Sequence, residues 1–336
     1  MNDIDPILGI SKGRPSALYR FLTNAFLPGV SQRDTIRRFD VVITHNQVPP
    51  RTDTRSLHIL DIGSGPCLLL RSLLDQHSSP DDHSTLLPAA GRARGARLQY
   101  TAFDKSFHER DLLWTKLVSQ CQNRSCCFLR PTLRTFDVHN TDILQDQLTR
   151  FGPFSLIIVN NVLHELQPAL IPTLLGQFSS SLEDNGRLIL IDPDPTWCFS
   201  AEAWRVGADG MPAVEWEAEA VWYSKFFIGT ALTHLGLAVN ITPTNRGWEA
   251  VGIRQNVLAA GGVAEENIRS LLRSYLTEQH KLELERGREL RRRVQELLKT
   301  HNEVQGELHD RVMELAAICI STFRCAEALG EIPNGQ

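Results

Sequence analysis

Apolar positions along the chain change period several times, and each change marks an expected element. Between residues 57 and 62, "LHILDI" is nearly continuous in apolar residues. A short apolar run bounded by turn residues is the mark of a strand buried on both faces. "CLLLRSLLDQ" then switches to helical spacing. The alternation repeats. Strand "LQYTAF" leads to helix "FHERDLLWTKLVSQC", strand "RTFDVH" to a short helix at "ILQDQLTR", and strand "FSLIIVN" to helix "ALIPTLLGQFSSSL". After the turn "EDNG" come strand "RLILID", an irregular stretch, helix "EAEAVWYSKFFIGTALTHLG", and strands "LAVNIT" and "GWEAVGIR". Only "PTNR" separates the last two strands, so they are expected to pair as an antiparallel hairpin.

Strands alternating with helices imply a parallel sheet covered on both faces. The expected fold is therefore α/β: a doubly wound, mostly parallel seven-stranded sheet with a closing antiparallel hairpin. Two flanks stand outside that frame. In residues 1–50, Leu18, Phe21, Leu22 and Phe26 recur at helical spacing, so an N-terminal helical lid is expected there. "VPPRTDTRS" reads as a linker, and "HSSPDDHSTLLPAAGRARG" as a loop insertion of low order. Residues 264–329 contain no proline and only two glycines, Gly287 and Gly306. Leu290, Val294, Leu297, Val304, Leu308 and Leu315 fall close to a 3-4 spacing, which predicts a C-terminal helical, coiled-coil-like extension. His301 and Arg311 interrupt the repeat, and Gly287 or Gly306 is expected to mark a bend. The seam must be buried. Either the N-terminal helices cover it or a homodimer does, and its length favours the dimer.

Composition changes this picture little. The 336 residues are 42% hydrophobic with a formal net charge of −4, which supplies a sizeable core and argues against binding nucleic acid through global charge. Locally, residues 281–300 carry seven basic and four acidic side chains, and a solvated helix face is the expected reading. Arg33, Arg37 and Arg38 are read the same way. The seven cysteines show no CxxC spacing, so buried thiols rather than a metal site are expected. The first residues lack the pattern of a signal peptide, and no apolar run reaches about 18 residues. A cytoplasmic protein that does not span a membrane is the expectation.

The chemistry begins at "LDIGSGPC". In a doubly wound sheet, ligands sit at the carboxyl ends of the strands where the strand order reverses. Gly63 and Gly65 permit backbone angles that side chains forbid, and the following helix points its amides at the same space. A dinucleotide site calls for G-x-G-x-x-G. Here the third glycine is missing, because residue 68 is a leucine. Asp61 stands two residues before Gly63, a place suited to facing an amino group and hostile to a pyrophosphate. Asp104 ends the second strand, where a carboxylate can accept both hydroxyls of a ribose.

Over residues 57–254 the chain resembles the class I S-adenosylmethionine-dependent methyltransferases. The resemblance rests on the ordered series "LDIGSGPC", "FDKS", "NTDIL", "IIVNNVLHEL", "GRLILIDPD" and the final hairpin. Cys67 departs from it where the family often has a third glycine. The resemblance implies S-adenosyl-L-methionine as cofactor. It places Asp61, Gly63, Ser64 and Gly65 around the methionine part, Asp104 and Lys105 at the ribose, and Asp142 with Ile143 at the adenine. Asp137 is the alternative to Asp142 if the third strand ends earlier. Asn160 and Asn161 line the floor under the methyl group. His164 is either a general base, with Glu165 beside it, or a packing residue; imidazole has the right proton affinity for the former. Proline is absent from "NNVLHEL", which disfavours the family's nucleic-acid base N-methyltransferases. Trp197, Phe199, Trp204 and Trp216 form either an acceptor wall or packing under a long loop. The implied reaction is methyl transfer to an O or N nucleophile of a small molecule, with RNA or protein as further acceptors. A catalytically idle cofactor-binding partner subunit, acting through its C-terminal helices, is the reading from another class.

Overall fold

The computed structural model describes residues 56–65, 67–76, 97–105, 112–125, 128–198, 221–244, 247–255, 261–299 and 306–331. The expected N-terminal lid, the loop insertion and the aromatic residues Phe199, Trp204 and Trp216 lie outside these residues.

Seven strands form one sheet in the order β3-β2-β1-β4-β5-β7-β6. They are β1 Leu57–Ile62, β2 Leu98–Asp104, β3 Thr132–Thr135, β4 Phe154–Asn160, β5 Leu182–Pro193, β6 Leu237–Pro243 and β7 Gly247–Arg254. The first five run parallel, and β7 pairs antiparallel with both β5 and β6. β1 and most of β4 are buried along their length, because helices cover both faces of a parallel sheet. The edge strand β6 is mostly half-buried or exposed.

The intervening helices are α1 Leu68–Gln76, α2 Leu112–Asn123, α3 Thr141–Phe151, α4 Ile171–Ser180, the short α5 Pro195–Cys198, and α6 Lys225–His234. Two long helices close the chain, α7 Gly261–Leu298 and α8 Glu307–Glu331. On one face of the sheet, α1 and α2 bury Leu70, Leu73, Trp114 and Leu117 against Ile59, Tyr100 and Ile158. On the other, α3, α4 and α6 pack with Leu60, Phe103 and Ile157. The first half of α7 joins this second core through Ile268, Leu272 and Leu276, and α8 adds Cys325 and Ala328. Part of the C-terminal extension therefore belongs to the sheet's own core.

The second half of α7 packs along α8. Leu290, Val294 and Leu297 of one helix, and Leu308 and Leu315 of the other, are buried. Arg286–Glu314 and Arg293–Glu307 ion pairs cross between the two helices. The seam that suggested a dimer thus has its cover in the same chain. Gly287 sits inside α7 without ending it, and Gly306, whose φ is +57°, immediately precedes α8.

Two boundaries differ from the sequence pattern. β3 ends at Thr135 rather than near residue 139, because its parallel ladder runs out at Asp104, the last residue of β2, whose carbonyl accepts the Phe136 amide as the final rung. Residues 221–224, read as helical, form an extended buried strap instead. Its backbone is held from outside: the Val221 amide donates to the His164 carbonyl, and the Trp248 indole donates to the Tyr223 carbonyl. The Tyr275 hydroxyl donates to the Trp222 carbonyl and accepts from the Ser224 amide. Helix α6 begins only after Ser224, whose hydroxyl caps the Phe227 amide.

Candidate active site

The strand order reverses between β1 and β4, and a cleft of about 200 Å³ opens there at the carboxyl ends of the strands. Four loops line it. The turn after β1 supplies Gly63 and Gly65, and the end of β2 supplies Asp104 and Lys105. The loop after β3 brings Asp137, Val138 and His139, and the one after β4 Asn161, Val162 and Glu165.

The turn after β1 is built from left-handed residues. Gly63, Gly65 and Cys67 have φ of +65°, +47° and +54°. A Cβ on Gly63 would lie 2.3 Å from Val162 Cγ2, so the loop after β4 can close only on a glycine. At Gly65 a Cβ would meet no atom within 4 Å, and the backbone angle alone calls for glycine. Cys67 replaces the expected third glycine in composition but keeps a glycine-like backbone, and its side chain is fully buried against α1 and α2. Burial pushes its thiol up to about 12, so it stays neutral.

Asp61 and Asp104 hold different positions. Asp104 Oδ2 accepts the Gly65 amide at 2.7 Å and faces the cleft. Asp61 lies beneath the turn, 5% exposed, and accepts from the Tyr100 hydroxyl at 2.5 Å. Burial raises its carboxyl to about 7; the Tyr100 hydrogen bond opposes that rise and the Asp104 charge adds to it. Ser64 is buried, and its amide and that of Gly63 both turn to the Phe103 carbonyl.

Beyond β3, the early strand end settles which acidic residue reaches the cleft. Asp137 lines it, while Asp142 and Ile143 sit exposed in the first turn of α3 and do not. Asn140, not Asp142, caps that helix, through a hydrogen bond to the Ile143 amide. Burial alone would raise the Asp137 carboxyl. The His139 amide and imidazole, with the Lys105 charge, hold it below its ordinary value.

Beyond β4, Asn161 takes a left-handed φ of +58° and donates its amide to the Ile191 carbonyl at 2.7 Å. Asn160 Oδ1 is buried and has no hydrogen-bond partner among the described residues. A 3₁₀ turn, Leu163–Glu165, follows and points its two polar residues apart. Glu165 lines the cleft, whereas the His164 ring is buried. His164 Nδ1 lies 2.8 Å from Asp192 Oδ1, and the His164 amide donates to Asp192 Oδ2 at 3.1 Å. The Trp222 ring lies nearly parallel to the imidazole, at 13° and 6.4 Å between centroids. With Nδ1–H donated to Asp192, Nε2 is the ring's acceptor. Asp192 and Tyr100 had no signal of their own in the sequence. Their roles depend on strand neighbours, which appear only once β5 lies beside β4 and β2 beside β1.

The topology and this cleft define a doubly wound α/β protein that takes a nucleoside cofactor at its switch point. A family model described as a methyltransferase domain matches residues 37–242, well over half of the chain. The chain belongs to that family, the class I S-adenosylmethionine-dependent methyltransferases, and S-adenosylmethionine is its cofactor. No curated protein matches the sequence.

Solved structures to which the chain is similar include an O-methyltransferase family protein from Burkholderia thailandensis. It is 12% identical, with a TM-score of 0.40 over 72% of this chain and 58% of that one. An O-methyltransferase family 2 protein from Planctomyces limnophilus, in complex with apigenin, is 16% identical, with a TM-score of 0.38 over 64% and 55%. Magnesium protoporphyrin IX methyltransferase from Synechocystis PCC 6803, with bound cofactor, is 16% identical, with a TM-score of 0.31 over 60% and 72%. The chain spans little more than half the length of the first two. No helix among the described residues is long and apolar enough to cross a membrane.

The residues present fit the cofactor. The turn at Gly63–Gly65 leaves backbone accessible, Asp104 and Asp137 offer acceptors at two corners of the cleft, and Asp61 offers a buried carboxyl beneath it. Phe103, Phe136 and Leu166 supply apolar walls between them.

Proposed function

We propose that the chain transfers a methyl group from S-adenosylmethionine to an oxygen or nitrogen nucleophile of a small molecule. The observation that carries this reading is the buried His164–Asp192 pair, one residue from the cleft-lining Glu165. In this reading Asp104 and Lys105 hold the ribose, and Asp137 and Val138 the adenine, in place of Asp142 and Ile143. The Gly63–Ser64–Gly65 turn and Asp61 receive the methionine part, and Asn160 and Asn161 border the reacting end. The bound cofactor supplies a sulfonium-activated methyl group.

The protein's own work is alignment, exclusion of water and management of one proton. His164 takes the acceptor's proton at Nε2. Asp192 keeps Nδ1–H in place and stabilises the imidazolium that forms. Trp222 fixes the plane of the ring. Glu165 borders the cleft as a carboxylate able to orient the acceptor.

Calorimetry with S-adenosylmethionine should show one site per chain. Turnover should then be sought with labelled cofactor against phenols, other hydroxylated aromatics and amines. His164→Ala should lower turnover roughly 10²–10⁴-fold and leave cofactor affinity within about twofold. A wild-type chain that binds no S-adenosylmethionine would overturn the reading, and near-normal turnover in the variant would return His164 to packing.

A further inference from the structure

Residues 221–224 belong to no helix or strand, yet Val221, Trp222 and Tyr223 are buried. Buried backbone groups need partners, and here other elements supply them. The strap in turn closes on His164 from two directions. The Val221 amide donates to the His164 carbonyl at 2.9 Å, and the Trp222 ring lies over the imidazole. One side chain grips both ends of the Trp222–Ser224 stretch. The Tyr275 hydroxyl donates to the Trp222 carbonyl at 2.9 Å and accepts from the Ser224 amide at 3.0 Å. A phenylalanine would fill the same space and do neither.

Tyr275 comes from α7, outside the sheet. It follows Ile268 and Leu272 at helical spacing, on the face that these residues bury in the second core. Its ring packs on Tyr223 and Phe227, with centroids 6.2 and 5.0 Å away. A rigid, anchored helix therefore sets where the hydroxyl stands. The strap gains little from its own polar groups: the Tyr223 hydroxyl is buried with no hydrogen-bond partner among the described residues, and it stands within reach of the Asp192 charge. Its course is imposed from α7 and from Trp248 of β7.

We propose that Tyr275 is a positioning residue for the His164–Asp192 pair, so that the C-terminal helix is part of the methyl-transfer site. Without its hydroxyl, one carbonyl and one amide of the strap lose their partner, and they regain one only by shifting. Trp222 then leaves the imidazole, and the ring turns away from Asp192 and changes tautomer. The consequence for turnover rests on the base role proposed for His164. The consequence for the ring does not.

The ring can be followed without an acceptor, by nitrogen NMR of the full chain carrying isotopically labelled histidine. At about pH 9, where an ordinary imidazole is neutral, His164 should show a protonated Nδ1 and an unprotonated Nε2. His164→Gln identifies the two signals. In Tyr275→Phe they should move toward each other as the tautomers mix. Ile268→Val trims the buried face of the same helix without touching the strap, and should leave them in place. With an acceptor from the turnover screen, Tyr275→Phe should lower kcat about tenfold and keep KM for S-adenosylmethionine within about twofold. Unmoved His164 signals in a folded Tyr275→Phe would overturn the proposal. So would an equal displacement in Ile268→Val, which would reduce the effect to general loosening. Should Tyr275→Phe not fold, amide exchange in the wild type decides. Val221 and Ser224 should open at the rate of Leu272 and Leu276, and opening more than about tenfold faster would overturn the proposal. Near-normal turnover in His164→Ala beside a displaced ring in Tyr275→Phe would remove the base role and leave the positioning standing.

Discussion

Asp61 and Glu283 are both buried carboxyl groups, and burial pushes both up to about 7. Their settings differ. Asp61 lies under a glycine turn at the open end of the sheet, with a cleft above it. Glu283 lies midway along α7, 3% exposed and sealed against α8. Its Oε1 accepts from the Gln279 side-chain amide and the Ser321 hydroxyl, and its Oε2 has no hydrogen-bond partner among the described residues. At the sheet end, the turn that covers the carboxyl, Gly63–Gly65, itself lines an open cleft. In the hairpin no ligand can enter, so the cost of desolvating the carboxyl is a plain loss of stability. The same raised proton affinity therefore lies under an open cleft in one region and inside a closed pair of helices in the other. Access, not the size of the shift, separates them.

The largest test of that contrast is to remove the helical region. A chain ending at residue 260 strips Ile268, Leu272 and Leu276 from the core, at roughly 2 kcal/mol each as an upper bound. It should lose cooperative unfolding by circular dichroism. A melt within a few degrees of the full chain would show that the sheet's core ends at β7 after all.

Glu283→Gln sharpens the comparison next. The folded state holds this proton more tightly than the unfolded one, so its stabilisation is complete below about pH 4.5 and fades as pH rises through about 7. In denaturant titrations the variant and the wild type should coincide at pH 4. At pH 8 the variant should be more stable by about 3 kcal/mol. Its affinity for S-adenosylmethionine should stay within about twofold, and a larger change would tie the hairpin to the cleft.

Asp104→Ala should do the reverse. Cofactor affinity should fall by about 1–3 kcal/mol, since a charge-assisted acceptor at the cleft is lost. Unchanged affinity by calorimetry would place the ribose elsewhere.

The smallest expected effect joins the two regions. Tyr275 of α7 grips both ends of the Trp222–Ser224 strap, and Trp222 in turn lies over His164. Tyr275→Phe strands one buried amide and one carbonyl, which should cost about 1 kcal/mol in chemical denaturation. No loss of stability would mean that the strap holds itself without the helix.

The sequence by itself determined the elements whose signal is local. Continuous apolar runs at residues 57–62 and 154–160 marked strands buried on both faces, and the alternation of periods specified the seven-stranded sheet with its closing hairpin. Gly63, Gly65 and Asp104 were legible because a tight turn and a strand end each demand particular residue types nearby in sequence. Only the tertiary structure decided what depends on distant partners. Asp137 rather than Asp142 reaches the cleft because β3 ends where its partner β2 ends, the Phe136 amide making the last rung to the Asp104 carbonyl. Residues 221–224 are extended, against their helical pattern, because four hydrogen bonds from other elements hold their backbone. His164 meets Asp192 across 28 residues, and Asp61 meets Tyr100 across 39. The seam of α7 packs on α8 of the same chain, a contact that no local stretch of sequence specifies. Hydrophobic period is written residue by residue, whereas the neighbour of a buried polar group is chosen by strand order and register, which no local stretch contains.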